Sequence, residues 1–259
     1  MFVDLWNPVG SDPINVGKVR WWSPMGGSLY PTRVRDVVGG VDGVPSTSVA
    51  VSKNAGYPTF FTGGVSLKVP TTETLRTTFT ITGWFFPISF GGGDFAFNVV
   101  FCWGGSAGSL CTVATNSGGS AFIFTGNETS GPSGVSMGIT LATNVWQHVA
   151  FRRTGNGGSY DCWLNGTIGT TQTAGTLSGT APSLYLASRQ DVNQTMNGVV
   201  GTHALWSRSL STEEIQADYK FGLMQFRQDL RWSERRTVAF VSSTPPVSTG
   251  KNLLLLGVG

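Results

Sequence analysis

The run Thr78-Phe79-Thr80-Ile81-Thr82-Gly83-Trp84-Phe85-Phe86 constrains this chain more than any other stretch. It alternates threonine with apolar residues, then turns wholly apolar. A period of two marks a strand with one buried face, and the apolar end fits burial on both faces. Pro87 falls near the expected end, because proline cannot donate to a ladder. Phe95 to Trp103, Ser120 to Phe124, Val145 to Arg152, Ser159 to Leu164, Leu184 to Leu186 and Val199 to Trp206 read as further strands between Gly, Ser and Asn turns. In Ser159 to Leu164, Tyr160, Cys162 and Leu164 face one way and Asp161 and Trp163 the other. Asn165-Gly166 is a strong hairpin-turn dipeptide.

Only 12% of the 259 residues are charged, about half the usual share. Gly, Ser and Thr take their place, as many short strands and tight turns require. Nine Trp and sixteen Phe exclude a disordered chain. A net charge of +3 is too mild to point to nucleic acid. No apolar run approaches the roughly 18 residues of a membrane span, and Met1 to Pro8 lacks the basic and apolar regions of a secretory signal. Cys102 and Cys111 are near enough in sequence to bridge a hairpin, and three buried thiols, with Cys162, are an equal reading. Asn127, Asn165 and Asn193 head N-x-S/T sequons, which matter only in a secreted eukaryotic chain.

One helix stands out. Ser211-Thr212-Glu213-Glu214 is a capping box, Ile215 and Tyr219 share a face, and Gly222 is a plausible stop. Residues 1–56 read as irregular, with Trp6, Trp21 and Trp22 as packing anchors. After Gly222 the character changes to an Arg-rich stretch, a Pro/Ser/Thr linker from Ser242 to Lys251 and an apolar tip.

These residues resemble a known family. Phe79-Thr80-Ile81-Thr82-Gly83-Trp84, then Trp146-Gln147-His148-Val149-Ala150, then Tyr160 to Gly166, then Gly198 through Leu210-Ser211-Thr212-Glu213-Glu214-Ile215 form an ordered series. It resembles the laminin-G-like, concanavalin A-like lectin jelly-roll domains. The resemblance covers residues 28–222, preceded by the segment 1–27 and followed by an arm, 223–259. It implies an all-β, two-sheet antiparallel jelly-roll sandwich with six or seven strands per sheet, one short C-terminal helix and an extended C-terminal arm. It also implies glycan or protein recognition. Many members bind calcium through acidic rim residues, but Thr62 stands where the "F-D-G" aspartate would be, and Gly201 and Thr202 replace the acidic pair after Gly198. No cofactor is therefore expected: the acidic ligands of a family-type calcium site are replaced, and a different calcium site built from Asp94, Glu128, Asp161 and Asp191 stays open. The Arg-rich segment and "LLLLG" tip are similar to proteins of tailed-phage genomes.

A hydrolase on this fold needs two carboxylates about 5–10 Å apart. Between Thr74 and Thr212 the acids are Asp94, Glu128, Asp161 and Asp191, none within two positions of another. There is no G-x-S-x-G elbow, and His148 and His203 sit in strand motifs that explain them. The expectation is a non-enzymatic virion protein, with other virion subunits or its own copies as partners and host-surface glycans as further partners. A free extracellular lectin is the alternative. Partner docking falls to Trp232, Arg235, Arg236 and the tip Leu253, Leu254, Leu255 and Leu256. The glycan-binding residues stay open. Trp103, Trp163, Tyr185 and Trp206 lie on expected strands, where core packing is the commoner use of aromatics.

Overall fold

A computed structural model describes residues 18–22, 43–45, 51–54, 57–61, 67–70, 77–91, 98–103, 111–125, 128–177, 183–186 and 196–223. In chain order the strands are β1 (Lys18–Trp22), β2 (Val44–Pro45), β3 (Val51–Asn54), β4 (Tyr57–Phe61), β5 (Leu67–Pro70) and β6 (Phe79–Ser89). Next come β7 (Asn98–Trp103), β8 (Cys111–Thr115), β9 (Ser120–Phe124), β10 (Glu128–Thr129), β11 (Ser133–Thr140) and β12 (Gln147–Arg153). The last six are β13 (Ser159–Leu164), β14 (Thr167–Ile168), β15 (Gln172–Thr173), β16 (Thr176–Leu177), β17 (Ser183–Leu186) and β18 (Asn197–Trp206). Helix α1 spans residues 212–223.

Among the described residues the strands form two large antiparallel sheets. A nine-stranded sheet runs β14-β13-β12-β6-β18-β4-β3, with β1 beside β18 and β15 beside β13. A seven-stranded sheet runs β11-β9-β8-β7-β17-β5-β2, and β10 and β16 make a small two-stranded ribbon. This is the jelly-roll sandwich that the sequence leads one to expect.

The alternation sorts side chains as the sequence implies. Phe79, Ile81 and Phe85 of β6, Val149 and Phe151 of β12, and Tyr160 and Cys162 of β13 enter the core between the sheets. There they meet Phe101, Trp103, Val113 and Leu184 from the opposite sheet. Ala150, Trp163, Ala204 and Trp206 point the other way, onto the outer face of the nine-stranded sheet. Helix α1 covers that face, with Ile215 and the preceding Leu210 in the same apolar cluster. Ser211 and Glu214 close the expected capping box: the Ser211 N–H donates to Glu214 Oε2 at 2.7 Å, and the Glu214 N–H donates to Ser211 Oγ at 3.3 Å. Glu214 also takes both arms of the Arg208 guanidinium, at 2.6 and 2.8 Å, which holds its carboxyl below the usual range.

Two expectations need correction. Residues 1–56 are not irregular throughout, because Lys18–Trp22 pairs along β18 and Val51–Asn54 pairs with β4. Trp21 and Trp22 lie in β1, and Trp6 lies outside the described residues. Pro87 lies near the end of β6, as expected, and the strand runs on to Ser89. It sits opposite Gly198, beside a register shift between Asn197 and Gly198, where a missing donor is tolerated. Gly222 does not stop α1, which continues to residue 223. A Cβ there would lie 2.4 Å from Nε1 of Trp84, so the glycine allows the helix to approach the sheet.

Cys102, Cys111 and Cys162 are all free and buried. Cys111 enters the core between the sheets, whereas Cys102 lies with Tyr185 on the outer face of the seven-stranded sheet. Opposite faces of one sheet explain why no bridge forms across this hairpin. Burial pushes the Cys162 thiol up to about 12.

Candidate functional site: an aromatic rim on the nine-stranded sheet

The outer face of the nine-stranded sheet is best read row by row across β12, β6 and β18. In one row His148 lies opposite Trp84. Here His148 Nε2 meets Asp218 Oδ2 of α1 at 3.1 Å, and Tyr219 stacks on Trp84 at 5.9 Å between ring centroids. The helix thus covers this row, and His148 is a packed residue that docks α1. In the next row Trp146 meets Phe86 at 5.6 Å, and Val199 pairs with Phe86 on its other side. Trp146 also rests against Gly201, where a Cβ would lie 3.3 Å from its ring. Phe86 and Trp146 are half-buried.

Beyond this pair the end of β6 and the bend before β12 carry exposed residues. Ile88 is 38% exposed and Val145 46%, two of the four large apolar side chains exposed among the described residues. The Asn144 N–H donates to the Pro87 carbonyl at 2.7 Å, which pins the 143–145 bend against the end of β6. Asn144 holds a left-handed conformation, φ 60°, which asparagine tolerates better than most residues. Thr143, Asn144, Ser89 and Asn197 are exposed beside the aromatic pair, and Asn197 Nδ2 donates to Ser89 Oγ at 2.7 Å. Exposed apolar, amide and hydroxyl side chains thus occur together at the end of β6, in the bend before β12 and at the start of β18.

The carboxylates are arranged otherwise. Glu128 and Arg153 are paired at 3.0 Å with both side chains fully buried. Arg153 also donates to Tyr160 Oη, Asn156 Oδ1 and the carbonyls of Thr77 and Gly175, while Glu128 accepts from Tyr160 and from the Gly175 N–H. Burial, foremost, raises the Tyr160 hydroxyl far above its ordinary pKa. Asp161 is clamped on the outer face by Arg152 at 2.6 and 2.9 Å and by Thr171 at 2.7 Å. Tyr160 and Asp161 are consecutive and face opposite sides of the strand, so Glu128 and Asp161 do not converge. Asp94 and Asp191 lie outside the described residues. Among the described residues no three His, Cys, Asp or Glu side chains gather as a metal ion requires. At the family's acidic positions after Gly198, Gly201 is spent on contact with Trp84 and Trp146; Thr62 is outside the described residues.

The four aromatics singled out on expected strands are core. Trp103 faces the inter-sheet core, Trp163 and Trp206 lie beneath α1, and Tyr185 is buried on the outer face of the seven-stranded sheet. Trp232, Arg235, Arg236 and Leu253 to Leu256 lie outside the described residues. Sequence reasoning missed the Trp146 rim. Trp146 opens a family strand motif and so passed as framework; the signal available was its place after the exposed turn sequence Thr143-Asn144-Val145.

The pattern of the concanavalin A-like lectin/glucanases superfamily, in its laminin-G form, matches residues 61–216. The chain belongs to that superfamily. No curated protein matches it in sequence. Among solved structures it is similar to the botulinum neurotoxin serotype D/C binding domain, with TM-score 0.60, 12% identity, and 80% of this chain and 52% of that one covered. It is likewise similar to a structure on cell entry of botulinum neurotoxin type C through two ganglioside molecules, with TM-score 0.59, 11% identity, and 80% and 51% covered. A third is Trypanosoma rangeli sialidase with sialic acid, with TM-score 0.57, 17% identity, and 79% and 33% covered. The chain spans about half the length of the toxin structures and a third of the sialidase. At such identities the likeness is one of fold. Among the described residues no helix is long and apolar enough to cross a membrane.

Proposed function

We propose that this chain is a non-enzymatic structural protein of a virus particle, displaying a lectin-like sandwich for glycan or protein recognition and docking through its C-terminal arm. The observation that carries the recognition half is the contrast within the sandwich. Glu128 and Asp161 are consumed by structural pairs on opposite faces, while the apolar side chains of Ile88 and Val145 are exposed to solvent. A charge-paired carboxylate is a poor general acid or nucleophile, and exposed apolar side chains are what a binding surface needs. The botulinum structures named with gangliosides and with rat synaptotagmin II support recognition as a use of this fold. The reading assigns the chain no cofactor.

The assembly half rests on the sequence. The jelly-roll unit, 28–222, is flanked by a Gly/Pro-rich segment and by the arm 223–259, in which Trp232 sits among arginines and Leu253 to Leu256 form an apolar tip. Such a tip is a liability in water and calls for burial on a neighbour. Light scattering of the full chain against a chain ending at Gly222 tests this. The reading expects the full chain to assemble and the shortened one to be a folded monomer. Two soluble monomers would instead favour a free extracellular lectin.

A further inference from the structure

We propose that Asn156 is a self-modification site, at which the folded chain converts asparagine to aspartate and isoaspartate with the help of Arg153. The inference is independent of the recognition reading. Asparagine followed by glycine is prone to this reaction, because a residue without a side chain leaves its backbone nitrogen open to the preceding amide. The chain holds three such pairs: Asn156-Gly157, Asn165-Gly166 and Asn197-Gly198. The structure sets the first apart.

Asn156 and Gly157 lie in the turn between β12 and β13, and both are exposed. A Cβ at Gly157 would meet nothing within 4 Å, and the Gly157 N–H has no hydrogen-bond partner among the described residues. Asn156 Oδ1 accepts from Nη2 of Arg153 at 3.1 Å and from the Leu177 N–H at 3.3 Å. Arg153 is fully buried and fixed by Glu128 at 3.0 Å, so its donor is in place before any reaction begins. The other two pairs are built differently. Asn165 Oδ1 accepts from a neutral donor, the His148 N–H, at 2.9 Å, and Gly166 is buried beneath the Tyr219 ring, which a Cβ would meet at 2.9 Å. Gly198 is a buried residue of β18, where a Cβ would lie 2.5 Å from the Phe86 carbonyl oxygen, and Asn197 Nδ2 is tied to Ser89. Closing the ring turns the asparagine ψ, which an exposed turn permits and a ladder resists.

The Gly157 nitrogen gives its proton to a base in solvent and bonds to Cγ of Asn156. Negative charge gathers on Oδ1, where a guanidinium and a backbone N–H already point, as in an oxyanion hole. The bond from Cγ to the side-chain nitrogen breaks, and that nitrogen leaves as ammonia with a proton from solvent. The five-membered imide left behind takes up water at either carbonyl and opens to aspartate or isoaspartate. One water is consumed and one ammonia released, and nothing is oxidised or reduced. The product sets a second acid beside Arg153, in addition to Glu128, and isoaspartate lengthens the turn backbone by a methylene.

Peptide mapping by mass spectrometry tests this on the full chain, aged at neutral pH either folded or unfolded in guanidinium chloride. The unfolded chain calibrates the three pairs against one another. In the folded chain Asn156 is expected to yield aspartate and isoaspartate roughly tenfold faster than Asn165 or Asn197, and faster than Asn156 does when unfolded. Gly157→Ala, checked for folding by circular dichroism, is expected to suppress the reaction. Asn156 reacting no faster folded than unfolded would overturn the proposal, and that comparison needs no variant. Asn165 or Asn197 leading in the folded chain would also overturn it, as would an undiminished rate in a folded Gly157→Ala chain.

Discussion

Gly83 leaves the space that the His203 ring fills. A Cβ at Gly83 would stand 2.3 Å from two ring atoms of His203, which packs edge-on against Phe85 at 4.8 Å. Its Nδ1 lies 2.9 Å from the Gly201 carbonyl, and its Nε2 has no hydrogen-bond partner. Burial pushes its pKa down to about 3. The unfolded chain takes up this proton near the ordinary pKa of about 6.5. Stability is therefore untouched by His203 above that value and is lost as pH falls from about 6.5 toward 3. The cost at pH 5 is about 2 kcal/mol. Urea melts at pH 7 and pH 5 are expected to show a smaller acid loss for His203→Gln than for the unaltered chain. Arg153 makes the second residue-scale prediction. Arg153→Met strands the buried Glu128 carboxylate and is expected to cost about 3–5 kcal/mol. Adding Glu128→Gln should restore part of that, read by the same melts.

At the scale of elements, α1 is held by its cap and by one apolar face. Ser211→Ala is expected to cost about 1 kcal/mol and Ile215→Ala about 2–5 kcal/mol, both by thermal or urea unfolding. The order reflects burial: Ser211 is exposed, and Ile215 lies fully buried against the sheet. The start of this helix was legible in the sequence, because Ser211 and Glu214 signal locally. So was the facing of β13, where Tyr160 and Cys162 point inward and Trp163 outward. What escaped was non-local. Strand β1 is defined by Trp21 pairing with Ala204, and nothing near Trp21 announces a partner so distant in the chain. The two-residue strands β10 and β16 are too short for any periodicity. The rim was illegible for a related reason. Trp146 and Trp163 look alike in sequence, and only the cover supplied by α1 separates the buried one from the half-exposed one.

For the molecule as a whole, the distribution of chemistry decides the reading. Among the described residues the paired charges of the sandwich are used structurally. Arg153 and Glu128 tie Thr77, Asn156, Tyr160 and Gly175 together, while Arg152 joins Asp161 to the Leu210 carbonyl ahead of α1. Among the exposed described residues, hydroxyls, amides and the aliphatic side chains of Ile88 and Val145 meet solvent alongside Lys68, Glu213 and Lys220. A sandwich so built can hold a ligand by contact, yet offers it no free carboxylate pair among the described residues. The central claim, recognition without catalysis, is tested most directly by incubating the full chain with immobilised glycans, eluting what it retains and assaying for new reducing ends. The account predicts saturable retention with every glycan recovered intact. Release of new reducing ends in step with the amount of chain added would contradict it.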